Sequence, residues 1–277
     1  MDIRGQRVCQ ACDTEWSYYE TGSVACPNCG SLRSVGRDEE RKRHTDTPAT
    51  LPLASFRAQI AEEPVSAYAD ELKTVLREYT RKRGFINGGE LRPLDDRYLT
   101  ARTLLHTVDS LTRRREPSAN AELYLVSLYK TLAADAAETT SDGDPVDSGG
   151  SDADSVVDAV DAELTDREAA GGDLDLTAVQ VPSELRAAWG LAVADAVAAY
   201  CRDLRTWLDD SPDAAAATTL SQLRDHTNRL NALQGDVAPA VAADIVVAAR
   251  AVGRYLRTGD DDALTTARDR LTAVTRT

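Results

Sequence analysis

Residues 183–208 read SELRAAWGLAVADAVAAYCRDLRTWL, and their spacing decides the fold class. Leu185, Trp189, Val193, Val197, Tyr200, Leu204 and Trp207 or Leu208 recur at helical intervals, so they share one side of a helix. The many alanines between them favour the same conformation, because they lose no side-chain entropy when it forms. Ser183 can cap the start, although Arg186 stands where a capping box would have Glu. Cys201 lies beside the apolar stripe and reads as a small buried hydrophobe.

The same periodicity extends in both directions. Downstream, helices are expected near 213–233, 237–257 and 260–274, with Gly235 and Gly259 placed as C-terminal caps. Upstream, residues 139–181 are rich in Asp, Ser and Gly and nearly free of aromatics, the composition of an acidic disordered linker. Before it, a helix is expected from about Ser118 to Glu138, with Leu125, Leu128, Tyr129 and Leu132 facing inward. Another opens near Pro93 and carries Leu94, Tyr98, Ala101, Leu105, Val108 and Leu111 on one face. A third holds Val65, Tyr68, Leu72, Val75, Leu76 and Tyr79 and is broken by GFINGG at 84–89. LASFRAQIAEE, closed by Pro64, is a shorter helical candidate.

The first thirty residues follow another logic. CQACDTEWSYYETGSVACPNC, residues 9–29, holds four of the five cysteines as two CxxC pairs. Each CxxC turn can bring two thiolates onto one metal ion, and a hairpin between the turns brings the four sulfurs together. TEWSYYE reads as strand, TG as a turn, and SVA as the return to the second pair. Cys9, Cys12, Cys26 and Cys29 are therefore the expected ligands of one structural Zn2+. Iron in the same four-thiolate shell is the other metal the donor set admits. Four protein thiolates leave no open position for water, which argues against catalysis at the metal. Trp16, Tyr18 and Tyr19 have two readings: a miniature core over the metal, or a stacking platform for bases or a partner side chain.

CQACD, CPNCG and the aromatic segment between them resemble a zinc ribbon of the rubredoxin-like kind, as at the N-terminus of archaeal transcription factor B. The resemblance covers only residues 9–30. It implies a structural zinc module of a sort often used to contact polymerase, nucleic acid or a partner protein. Asp13 departs from the glycine usual in the first turn, but Asp tolerates the left-handed conformation needed there. The cyclin-like repeats that follow the ribbon in transcription factor B are not found here. The whole chain also resembles haloarchaeal zinc-ribbon proteins.

Composition agrees with that last likeness. The net charge is −14, only four of the 32 basic residues are lysine, and Asp outnumbers Glu. In such proteins acidity serves solubility in concentrated salt, so it says little about partners, though it argues against a generic nucleic-acid coat. Residues 1–115 depart from the trend, with 19 basic and 17 acidic side chains, against 13 and 29 in the remainder. Arg81, Lys82, Arg83, Arg92, Arg113, Arg114 and Arg115 cluster at expected helix ends. They could bind phosphates or an acidic partner. They could equally complement helix dipoles or pair with acidic residues of the same chain.

No apolar run is long enough to span a membrane, and MDIRGQRVCQ is not a secretion signal, so a cytoplasmic location with reduced thiols is expected. There is no Ser/His/Asp grouping, and GFINGGE lacks the ending of a phosphate-binding loop. His44, His106 and His226 are scattered. The expectation is a mainly α protein: a small N-terminal β zinc ribbon followed by an α-helical bundle region of about seven helices. The expected divisions are ribbon 1–38, tether 39–50, helical segment 51–138, linker 139–181 and helical segment 182–277. The expected function is non-enzymatic: an adaptor or regulator contacting nucleic acid or the transcription or translation machinery through the ribbon and basic segment. The other reading is a protein–protein interaction module whose zinc ribbon only stabilises the fold.

Overall fold

A computed structural model describes residues 1–138 and 181–276, and the expected linker lies outside the described residues except for Val181. The described part is mainly α with a small N-terminal β region, as the apolar spacing predicts.

In the N-terminal part, β1 (Asp2–Ile3) pairs antiparallel with β5 (Lys42–Arg43). β2 (Gln6–Cys9) lies between β3 (Glu15–Ser17) and β4 (Ser34–Gly36) in a three-stranded antiparallel sheet. Arg7 stands opposite Trp16 on one side and Gly36 on the other. TEWSYYE is not all strand. The chain leaves the sheet after Ser17 and turns through α1 (Tyr18–Thr21), closed by Gly22 in the left-handed conformation at φ +62°. Contacts from outside the segment decide this, because Tyr18 and Tyr19 pack their rings against His44 at 5.8 and 5.0 Å.

Residues 39–50, expected as a tether, contribute β5 and two buried polar side chains, His44 and Asp46. The main chain here is tied to the helical part. The Thr45 amide donates to Ile86 O at 2.9 Å and the Thr47 amide to Lys82 O at 2.9 Å. Arg43 reaches Asp210 at 2.7 and 3.0 Å.

The helical part starts with a 3-10 turn and α2 (Arg57–Glu62), then α3 (Val65–Lys82), α4 (Asp96–Thr112) and α5 (Ala119–Glu138). After the undescribed stretch come α6 (Arg186–Asp210), α7 (Ala214–Ala232), α8 (Pro239–Thr258) and α9 (Asp261–Thr275). Gly259 closes α8 in the left-handed conformation, as its position predicts. GFINGG does more than break a helix. Ile86–Asn87 (β6) and Glu90–Leu91 (β7) form a hairpin whose turn, Gly88 at φ +59° and Gly89 at φ +82°, requires two positive φ angles.

Both sides of the undescribed stretch share a core. Phe85, Leu94, Tyr98 and Leu99 are buried in one cluster with Val193, Tyr200, Leu223, Val252 and Leu271 from α6–α9. Phe85 sits edge-on to Tyr98 and Tyr200, with ring centroids 5.1 and 4.8 Å away. A second cluster joins α3, α4 and α5 to Leu51, Leu53 and Phe56. α4 serves both, burying Leu104, Val108 and Leu111 on the α3/α5 side and Tyr98 and Leu99 toward α6.

Candidate metal centre

The four-cysteine centre is built from two turns with the same hydrogen bonds. The Cys9 amide donates to Thr14 O and the Cys26 amide to Ser31 O, both at 2.9 Å. The Asp13 amide returns to Cys9 O at 3.1 Å, and the Gly30 amide to Cys26 O at 2.9 Å. Equivalent positions of the two turns take the left-handed conformation, Asp13 at φ +56° and Gly30 at φ +70°. Asp13 therefore does the work of a glycine, as its place in the motif predicts. The Gln10 amide joins the turns by donating to Arg33 O at 2.8 Å.

This pairing brings the Sγ atoms of Cys9, Cys12, Cys26 and Cys29 within 4.8 Å of one another. Cys9–Cys29 and Cys12–Cys26 are separated by 3.6 Å, and Cys12–Cys29 by 3.4 Å. Sulfurs held tetrahedrally at about 2.3 Å from a zinc ion stand roughly 3.8 Å apart, so the cluster fits such an ion closely. The separations are far too long for disulfides, whose S–S bond is about 2.05 Å. All five cysteines are free thiols.

The surroundings favour thiolate at Cys12 but not at Cys29. There a lowering hydrogen bond from the Ser31 backbone is outweighed by the neighbouring thiols and by desolvation, and the pKa rises to about 12. The Ala11 amide lies 3.4 Å from Cys9 Sγ, and the Thr14 hydroxyl 3.2 Å from Cys12 Sγ. Hydrogen bonds from the Thr14 side chain and backbone lower the Cys12 pKa to about 6, so one sulfur is ready to lose its proton to a metal. Thr14 and Asn28, whose amide nitrogen is 3.8 Å from the same sulfur, were not singled out by sequence reading. Their only sequence signal is a place beside the CxxC pairs. Trp16 is buried against Cys9 and Cys26, and its indole N–H donates to Ser23 O at 3.0 Å. Cys201 is apart from the centre, buried in α6, with its thiol pushed up to about 12 by desolvation.

The basic residues picked out in the sequence do not converge on one spot. Arg81, Lys82 and Arg83 lie at the C-terminal end of α3, and Arg83 pairs with Asp95 beside the start of α4. Arg113, Arg114 and Arg115 follow the other end of α4, a helix of 17 residues and hence roughly 25 Å long. Five of the seven are engaged by carboxylates of this chain. Lys82 meets Glu78 at 2.6 Å, Arg83 meets Asp46 and Asp95 at 3.2 and 3.1 Å, and Arg92 approaches Glu90 at 3.7 Å. Arg113 pairs with Asp109, and Arg114 meets Glu184 at 3.3 Å. His106, for which no partner was visible in the sequence, lies 2.9 Å from Asp195 of α6. No local signal could have paired two residues 89 positions apart.

Fold and centre together define a class: a helical protein carrying an N-terminal four-cysteine site able to hold a metal ion. The chain belongs to the family described as "Family of unknown function (DUF7117)", whose model matches residues 1–167 and 162–271. No curated protein and no solved structure matches it. Among the described residues, no helix is long and apolar enough to cross a membrane.

Proposed function

We propose that the four cysteines hold one structural zinc ion, that the N-terminal module is a zinc ribbon, and that the protein is a non-enzymatic adaptor. The observation that carries this reading is the closed sulfur cluster, with four Sγ atoms within 4.8 Å of one another. A shell of four thiolates leaves the metal no vacant position, so its work is to fold the module and present its surface.

What the module presents favours a protein partner over nucleic acid. Val24, Leu32 and Val35 belong to it and are 41, 73 and 42% exposed. The Ser34 hydroxyl donates to Val24 O at 2.7 Å, which ties the Val24 segment to the strand that carries Val35, and contiguous exposed apolar area is what marks contact surfaces. Five of the seven nominated cations are already paired within the chain, which weakens the case for phosphate-backbone binding. In the acidic proteome style to which the composition points, high salt would weaken that binding further.

Two measurements on the purified, reduced full chain test this. Metal analysis is expected to give about one zinc per chain, and Cys26→Ser to abolish it while the helical circular-dichroism signal remains. Capture of a partner from native lysate at high salt is expected to survive nuclease and to be lost in Leu32→Asp. Capture that disappears with nuclease would overturn the protein-partner reading in favour of nucleic acid.

A further inference from the structure

A cleft of about 490 Å³ opens where α3, the turn that follows it, α4 and α6 meet. Five arginines line it: Arg77, Arg81 and Arg83 at the end of α3, Arg102 on α4 and Arg202 on α6. Against them the lining holds one carboxylate, Asp203. That carboxylate is buried and already accepts from the Thr45 hydroxyl and the Phe85 amide, each at 2.6 Å.

Two of the arginines are held by the fold. Arg83 lies between Asp46 and Asp95. Arg102 donates to the Tyr98 hydroxyl at 2.9 and 3.2 Å and stands 3.9 Å from Asp195. For Arg77, Arg81 and Arg202, no carboxylate lies within ion-pair distance among the described residues. Asp70 and Glu78 act on Arg77 and Arg81 only from beyond that distance, so three guanidinium groups without an ion pair share one concave wall. A solvated arginine on a convex surface needs no partner. Arginines gathered in a cleft repel one another and concentrate a positive potential, which a bound anion relieves.

We propose that this cleft binds a phosphorylated small molecule. Guanidinium groups match phosphate oxygens with paired, charge-assisted hydrogen bonds, and they stay charged at any working pH. The volume lies in the range of metabolite pockets, roughly 300–1,000 Å³. It exceeds what one inorganic phosphate fills, so the ligand carries a second phosphate or an organic part. A concave site of this volume suits a small ligand better than a polymer. The site uses no cysteine, so phosphate binding and zinc content stand or fall separately.

The test is calorimetric titration of the full chain with pyrophosphate and with a nucleoside triphosphate, at moderate and at molar KCl. Saturable 1:1 binding is expected, weakening as salt rises. Arg81→Ala and Arg202→Ala should each weaken it by roughly tenfold or more, the size of one charge-assisted hydrogen bond. Arg202→Lys, which keeps the charge but not the fork, should fall in between. The double variant Arg113→Ala/Arg115→Ala, at the far end of α4, should bind as the parent does. Unchanged melting temperatures for the exposed Arg81 and Arg202 variants show that the loss is not unfolding. The proposal is overturned by absence of saturable binding with both probes, or by equal weakening in the Arg113/Arg115 variant. It is also overturned if single-stranded RNA binds more tightly than either probe and still binds Arg202→Ala.

Discussion

Asp13 stands at φ +56°, a conformation that costs a residue with a Cβ about 1–2 kcal/mol. Asp13→Gly should keep the metal and raise the melting temperature slightly, while Asp13→Val should lower it. Equal melting temperatures in the two variants would remove the strain argument. The cysteines and this aspartate were legible because a CxxC turn fixes its own local geometry. His44 was not, since its partners come from far along the chain. Its ring is 1% exposed and accepts from the Gly88 amide at 3.3 Å through Nδ1. Desolvation lowers its pKa, with the N-terminal amine adding to the effect and Asp46 opposing it. The neutral ring therefore contributes stability that is full above about pH 6.5 and is lost as pH falls toward the lowered value. His226 is lowered as well, with the same sign. The urea midpoint should thus be lower at pH 5.5 than at pH 7.5, and His44→Gln should reduce that difference. A midpoint that rises on acidification, or a slope unchanged in His44→Gln, would contradict it. At Gly190 the constraint is steric, because an added Cβ would lie 2.2 Å from Gly235 O. Gly190→Ala should destabilise by about 1–3 kcal/mol, measured by denaturant titration.

Helices were the most readable elements, because a buried stripe repeats every three or four residues however the neighbours are arranged. Their ends were less so. α4 begins at Asp96, where the Asp95 carboxylate accepts from the Tyr98 amide at 2.6 Å, rather than near Pro93. α7 is capped by Asp213, which accepts from the Ala216 amide and the Tyr255 hydroxyl, both at 2.7 Å. These hydrogen bonds, the Ala216 amide foremost, hold its carboxyl below the usual range. Asp213→Ala should cost about 1–2 kcal/mol, a typical value for loss of a cap, and Tyr255→Phe less. A neutral Asp213→Ala would show that α7 is held by packing alone. The short strands were harder to read. Two to four residues carry too little periodicity to tell strand from turn, so β4 and the hairpin β6–β7 passed unnoticed. For the same reason TEWSYYE was read as strand where α1 forms.

At the scale of the molecule, the cysteine module and the two helical stretches meet around residues 84–99. Phe85 packs against Tyr98 and Tyr200, Arg250 donates to Leu94 O at 2.9 Å, and Thr45 binds Asp203. None of this was legible in the sequence, since periodicity gives the buried face of a helix but not what covers it. Residues 1–138 and 181–277, produced as two chains, should therefore co-purify as one complex, and independent elution would contradict the shared core. Mixing the basic and acidic parts of the chain also explains how charge is disposed. Arg43 meets Asp210 and Arg114 meets Glu184, so cations of the less acidic N-terminal part are offset by acids of the other.

If the four sulfurs close on one metal ion as proposed, that ion folds the first thirty or so residues. Metal binding at such sites contributes folding free energy of order 10 kcal/mol. Native mass spectrometry of the reduced, purified chain tests it most directly. The expected mass is that of one chain plus a single zinc ion, reverting to the metal-free mass on replacing any one of Cys9, Cys12, Cys26 or Cys29 with serine. A parent chain that flies metal-free, with Cys9, Cys12, Cys26 and Cys29 open to alkylation while Cys201 stays buried, would contradict it.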